Sequence, residues 1–154
     1  MSHNSTPQEL VITRLFNAPR ALVFRAWTDP RHLAQWWGPH GFTNPVCEVD
    51  LRPGGTIRID MTDPTGIVYP MIGVFREIVE PERLVFTSGA FMDDDGVPQL
   101  EALNTVTFVE IGNQTELTLH AVVLRAGPMT LEALAGMEAG WTQSLEKLTN
   151  LLAG

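Results

Sequence analysis

The chain has 154 residues, of which 44% are hydrophobic and 18% charged, and its formal net charge is −8 from 10 basic and 18 acidic residues. The length suits one domain that buries roughly two-thirds of its unfolded surface, and the composition is too apolar and too sparsely charged for a disordered chain. The acidic balance repels polyanions and no basic cluster offsets it, since Lys147 is the sole lysine and the arginines are scattered, which argues against nucleic acid or an anionic membrane as partner.

Cys47 is the only cysteine, so no intrachain disulfide can form. Residues 1–8 are polar, read as a flexible N-terminus, and contain no apolar signal segment. No stretch approaches the ~20 apolar residues of a membrane span. These features together point to a reducing, cytoplasmic location and to one domain over residues 9–154.

Residues 9–16 read as a first strand. A short amphipathic helix is expected over 19–28, with Pro19 in its first turn and Leu22, Val23, Ala26 and Trp27 at three-to-four spacing. Asp29-Pro30 starts a second helix, a capping carboxylate before proline, which carries Leu33, Trp36 and Trp37 until Gly38-Pro39 stops it.

From Thr43 the period changes to two. A strand runs to Leu51, the turn 52–55 follows, and Ile57, Ile59 and Met61 alternate with Arg58 and Asp60. Asp63-Pro64-Thr65-Gly66 is the next turn. Residues 67–79 are long for a strand, and Pro70 and Gly73 suggest a bend or bulge within them. The turn 80–82 leads into 84–88, and 92–99 reads as an exposed loop around Asp93-Asp94-Asp95-Gly96. Strands over 103–111 and 115–123 then meet at the tight turn 112–114.

The last segment is helical. Thr130 suits its cap, and Leu131, Leu134, Met137, Trp141, Leu145, Leu148 and Leu152 form a stripe on one face. Consecutive strands with hairpin-length links make an antiparallel sheet that only this helix can cover. The expected fold is therefore α+β: a curved antiparallel sheet of about six or seven strands on a long C-terminal helix, with two short helices after the first strand.

Several motifs in this order carry a resemblance. They are Phe16-Asn17-Ala18-Pro19, Val23-Phe24-Arg25-Ala26-Trp27-Thr28-Asp29-Pro30 and Trp36-Trp37-Gly38-Pro39, followed by Asp50-Leu51-Arg52-Pro53-Gly54-Gly55. Gly73-Val74-Phe75-Arg76-Glu77-Ile78, Pro81-Glu82-Arg83-Leu84-Val85-Phe86-Thr87, and Gly140-Trp141 with Leu145 and Leu148 complete the set. The chain resembles the family of homologues of the activator of the heat-shock-protein-90 ATPase, in the START-like or SRPBCC superfamily with its helix-grip fold. The resemblance covers nearly the whole chain and implies a cavity between sheet and long helix, often used for apolar small molecules. Superfamily members include lipid carriers, hormone receptors, aromatase/cyclase enzymes and chaperone activators, so fold alone does not choose an activity. The eukaryotic activators carry a separate N-terminal chaperone-binding domain for which this chain has no room, so the sequence gives a chaperone partner no support.

Motifs for nucleophilic chemistry are missing. There is no Gly-x-Ser-x-Gly elbow, and Thr87-Ser88-Gly89 reads as turn chemistry at a strand end. Cys47 has no neighbouring His and reads as a small buried hydrophobe. Gly54-Gly55 lacks the Lys-Ser/Thr of a phosphate-binding loop. His3, His32, His40 and His120 lack helical i, i+4 pairing, and the contiguous Asp93–Asp95 run does not alternate as calcium ligands do, so no metal is expected. No cofactor is implied.

Glu77 sits among Val74, Phe75, Ile78 and Val79; facing a cavity it would act as an acid/base or orienting group, and facing outward it would pair with an arginine. Asp50 and Arg52 share strand parity and suit a simple ion pair. Trp36 and Trp37 are adjacent, so a helix cannot aim both at one core, which leaves one to pack inward and the other to rim a cavity. Met61, Met71, Met92, Met129 and Met137 add adaptable side chains.

The leading expectation is a pocket for a small, largely apolar molecule, lined by Trp36, Trp37, Ile59, Met61, Tyr69, Met71, Phe86, Met137 and Trp141, with Tyr69, His40 or Glu77 as orienting polar contacts. Which strand faces of 67–79 point inward is open. One rival is a cyclase- or hydrolase-type enzyme using Glu77, His40 or His120. Another is a chaperone-associated interaction domain, which requires an exposed apolar patch. A homodimer is compatible with the sequence and not demanded by it.

Overall fold

Alternating apolar residues and turn-forming clusters divide the described residues into seven strands and three helices. The structure is a computed structural model that describes residues 9–126 and 130–153, with the side chains of the last helix described from residue 136 onward. In order these elements are β1 (Glu9–Phe16), α1 (Arg20–Thr28), α2 (Pro30–Trp36), β2 (Thr43–Val49) and β3 (Thr56–Thr62). They continue with β4 (Val68–Val79), β5 (Arg83–Met92), β6 (Pro98–Ile111), β7 (Gln114–Arg125) and α3 (Thr130–Ala153). The expected cap Thr130, the stripe residues Leu131 and Leu134, Met129 and the N-terminal residues 1–8 lie outside the described residues and side chains.

The strands form one antiparallel sheet in the order β1-β7-β6-β5-β4-β3-β2. Five successive hairpins build it, and β1 closes on β7, so the first two strands of the chain become the two edges. Together with α3 this curved sheet is the expected helix-grip fold.

One face of the sheet is buried by period-two patterning. Ile57 and Ile59, Met71 and Phe75, Leu84 and Phe86, Val106 and Phe108, and Leu117 and Leu119 all point to it. The long helix lays Trp141, Leu145 and Leu148 against this face, and α1 adds Val23, Phe24, Ala26 and Trp27. Within α1, Phe24 takes the inward position expected of Leu22, which is exposed. Pro19 is the residue before the first helical turn, and its carbonyl accepts from the N–H groups of Leu22 and Val23. The Asp29 carboxylate caps α2 as expected, accepting from Arg31 N at 2.9 Å.

Three details differ from the sequence reading. The bulge in β4 against β5 falls between Phe75 and Glu77, whereas Pro70 and Gly73 keep regular register with Asp60 and Ile57 of β3. Gly73 marks a close backbone approach instead: a Cβ there would stand 1.8 Å from the carbonyl oxygen of Thr87. Thr87-Ser88-Gly89 lies within β5 and not at a turn. The expected loop 92–99 is only a tight turn, because β5 runs to Met92 and β6 starts at Pro98.

That turn repeats the chemistry of the β3–β4 turn. The Asp63 carboxylate accepts from Thr65 N (2.8 Å) and Ile67 N (3.0 Å), and Asp93 accepts from Asp95 N (2.9 Å) and Val97 N (2.9 Å). In both, the glycine three residues on, Gly66 or Gly96, has positive φ. Among the described residues, no helix is long and apolar enough to cross a membrane.

Candidate functional site

Between the β3–β4 and β5–β6 hairpins and α3 lies a cavity of about 770 Å³. Its floor is strand: Met61, Tyr69 and Met71 from the β3–β4 pair, and Ser88, Ala90, Met92, Leu100 and Ala102 from the β5–β6 pair. Its roof is Gly136, Met137, Gly140, Trp141 and Ser144 of α3, and Trp37 with Phe42 closes one side. Among the described residues, no charged side chain lines it.

Trp36 and Trp37 do not divide as expected: both are buried in one core cluster, with ring centroids 6.0 Å apart, because α2 ends between them. Trp36 ends α2 wholly buried, and its Nε1–H donates to the Ala26 carbonyl at 2.9 Å. Trp37 follows in extended backbone, and its buried indole packs beside that of Trp36 while also lining the cavity. Its ring meets Trp141 edge-on at 5.1 Å, and Trp141 in turn stacks on Trp27.

The segment carrying Trp37 is tied to α3 by four side chains of the helix. Ser144 Oγ accepts from Gly38 N at 3.0 Å, and Gln143 Oε1 accepts from His40 N at 3.0 Å. Lys147 Nζ donates to the carbonyls of Trp37 (3.4 Å) and Pro39 (3.3 Å), and burial lowers its pKa. Glu146 Oε1 lies 2.9 Å from His40 Nε2. Gly38 adopts φ +94°, which lets the chain turn sharply beneath these contacts.

Of the residues expected at the site, Trp37, Met61, Tyr69, Met71, Met137 and Trp141 come together on the cavity wall. Trp36, Ile59 and Phe86 are buried in the core behind it. Two expected polar contacts lie elsewhere. Glu77 is on the outer face, paired with Arg83 at 2.9 Å, because the β4 bulge beside it resets strand parity. His40 is on the surface against Glu146, and His120 pairs with Glu9 on the outer face of β7. Asp50 and Arg52 form the expected ion pair at 2.8 Å.

Tyr69 is held in place by its hydroxyl, which donates to Asp63 Oδ2 at 3.2 Å. The Thr65 hydroxyl and the turn N–H groups lower the Asp63 pKa, whereas desolvation and the Asp63 charge raise that of Tyr69. Cys47 is half-buried on β2, and desolvation, reinforced by the neighbouring Glu48 charge, pushes its thiol up to about 11.

Sequence reasoning missed Ser88 and Asn104, and also Gly136 and Gly140. The signals were present. Asn104 has the parity of the apolar residues Ala102, Val106 and Phe108, and the glycines adjoin Met137 and Trp141 on the helical stripe.

Residues 17–153 match the family model described as activator of Hsp90 ATPase homolog 1-like protein. The chain belongs to this family. No curated protein matches it. Among solved structures, this Hsp90-ATPase-activator-like chain is similar to a protein from Arthrobacter aurescens, with 27% identity and TM-score 0.85 over 99% of this chain and 90% of that one. A Chromobacterium violaceum protein has 29% identity and TM-score 0.80, covering 95% and 97%. The AHSA1 protein of Silicibacter pomeroyi has 28% identity and TM-score 0.78, covering 95% and 98%.

Proposed function

We propose that this protein binds a small, largely apolar molecule in the cavity between α3 and the β3–β6 strands. The observation that carries the reading is a ligand-sized cavity whose described lining is uncharged, roofed by a helix with glycines at 136 and 140. A Cβ at either glycine would meet nothing within 4 Å, so larger residues would fit there. Glycine inside a helix costs about 1 kcal/mol relative to alanine. Two such residues facing open space favour volume over helix stability. A cavity near 770 Å³ falls in the range of small-molecule sites.

Binding would come from burying apolar ligand surface against Trp37, Trp141 and the methionines, at roughly 25 cal/mol per Å² before ordering costs. Acid–base catalysis is less supported, because Glu77, His40 and His120 lie outside the cavity, against Arg83, Glu146 and Glu9 respectively.

Native mass spectrometry of the purified protein and a thermal-shift screen of neutral apolar compounds test the reading. A ligand at 100 times its Kd adds about 2.7 kcal/mol, a shift of several degrees for a domain of this size. No bound mass and no shift across a broad screen would sink it.

A further inference from the structure

Among the described residues, three hydroxyl-bearing side chains line the cavity, and two have their protons engaged by the protein. Tyr69 donates to Asp63 Oδ2, and Ser144 donates to the Gly140 carbonyl at 2.8 Å. Among the described residues, the Ser88 proton has no acceptor. Ser88 Oγ instead accepts from Asn104 Nδ2 at 2.9 Å.

Asn104 is fully buried on the inner face of β6. Its Nδ2 also donates to the Phe86 carbonyl at 3.3 Å. A carbonyl can only accept, so this contact fixes which end of the amide faces Ser88. The arrangement leaves Oδ1 without a partner among the described residues. An unpaired buried polar atom is unfavourable, and a leucine-like residue would avoid it. The amide gives something in return: it occupies a lone pair of Ser88 Oγ, which polarises the hydroxyl and strengthens it as a donor.

We infer that Ser88, backed by Asn104, is the polar anchor of the cavity and that its ligand is a neutral molecule with a hydrogen-bond-accepting oxygen on an otherwise apolar body. This rests on the binding role proposed above. With no charged side chain among the described residues of the wall, an ionised ligand group would be desolvated without a counter-charge there. A carbonyl, ether or hydroxyl oxygen meets the Ser88 proton without that penalty.

Three probes of one shape test this: naphthalene, 2-acetylnaphthalene and 2-naphthoate, titrated calorimetrically at pH 7 into the unsubstituted protein and into Ser88→Ala. The ketone is expected to lose three- to tenfold in affinity in Ser88→Ala while naphthalene is unchanged. Ser88→Cys, which keeps the volume with a weaker donor, should fall between. The carboxylate should bind at least tenfold more weakly than the ketone. Trp37 and Trp141, also on the wall, are untouched by these variants, so their indoles cannot produce the selective loss. An equal loss for both neutral probes, or none for the ketone, overturns the anchor and leaves the binding role standing. Tighter binding of the carboxylate overturns the neutral ligand class. If neither neutral probe binds the unsubstituted protein, both the inference and the function beneath it fall.

Discussion

The indole of Trp141 stacks on that of Trp27 with ring centroids 5.6 Å apart and planes 23° from parallel. One of these residues lies mid-way along α3 and the other on α1, so the stack joins the C-terminal helix to the N-terminal one across the core. Trp141 also lines the cavity, and the same side chain is thus both packing and wall.

The dual position of Trp141 sets the cost of removing it. Burial of a tryptophan makes Trp141→Ala worth about 3–5 kcal/mol in a closed core. One side of this ring faces open volume and has few atoms to lose contact with, so we expect the low end, about 3 kcal/mol. Urea unfolding of the variant measures it. A loss under 1 kcal/mol would mean that the Trp27 stack contributes little to the fold.

Gly140 makes the opposite prediction. Gly140→Ala should stabilise the protein by about 0.5–1 kcal/mol, because alanine is the better helix former and its Cβ meets nothing within 4 Å. Gly140→Leu extends a side chain from the same position and should weaken binding of any apolar probe by tenfold or more. Thermal melts and probe titrations of both variants check the pair. Unchanged affinity in Gly140→Leu would place the ligand elsewhere.

The legible and illegible parts of the structure differ in a physical way. The stripe on α3 and the alternation at Ile57, Ile59 and Met61 were readable because burial on one side imposes a local period. The Asp29 cap followed from a similarly local rule, whereas Trp36 and Trp37 both reach the core because α2 ends between them. The extent of β5 and β6 was not read, because Gly89 and Ala90 have weak strand preference and three aspartates suggested a longer solvated loop. Asp63 and Asp93 head the same turn, with glycine three residues on and an apolar residue after it, and matching them would have shortened that loop. Glu77 was ambiguous for a different reason: a bulge reverses strand parity, and its position depends on the partner strand. The Ser88–Asn104 contact joins two strands, so neither segment alone announces it.

Ser144 holds the wall through one bond. Its Oγ is the acceptor for the buried Gly38 N–H. Ser144→Ala leaves that donor unpaired, at a cost of about 1–2 kcal/mol. It should also loosen the 37–40 segment, seen as faster amide exchange at Gly38 and His40 than in the parent protein. Unchanged exchange there would show that Gln143 and Lys147 hold the segment without it.

Cys47 supplies the pH-dependent prediction. Its thiol is raised to about 11 in the folded protein from an ordinary value of 9.0, chiefly by desolvation. The folded state therefore keeps a proton that the unfolded chain releases between those two values. Below about pH 9 both states are protonated and the group adds no pH dependence. From there toward pH 11 stability falls as pH rises, since deprotonation favours the unfolded chain. Urea midpoints measured from pH 8 to 11 should decline more steeply for the parent than for Cys47→Ala. The same shift makes the thiolate scarce at neutral pH, so iodoacetamide should alkylate the folded protein at least about tenfold more slowly than the urea-unfolded chain at pH 8. Equal alkylation rates in the two states would show that the β2 environment does not hold the proton.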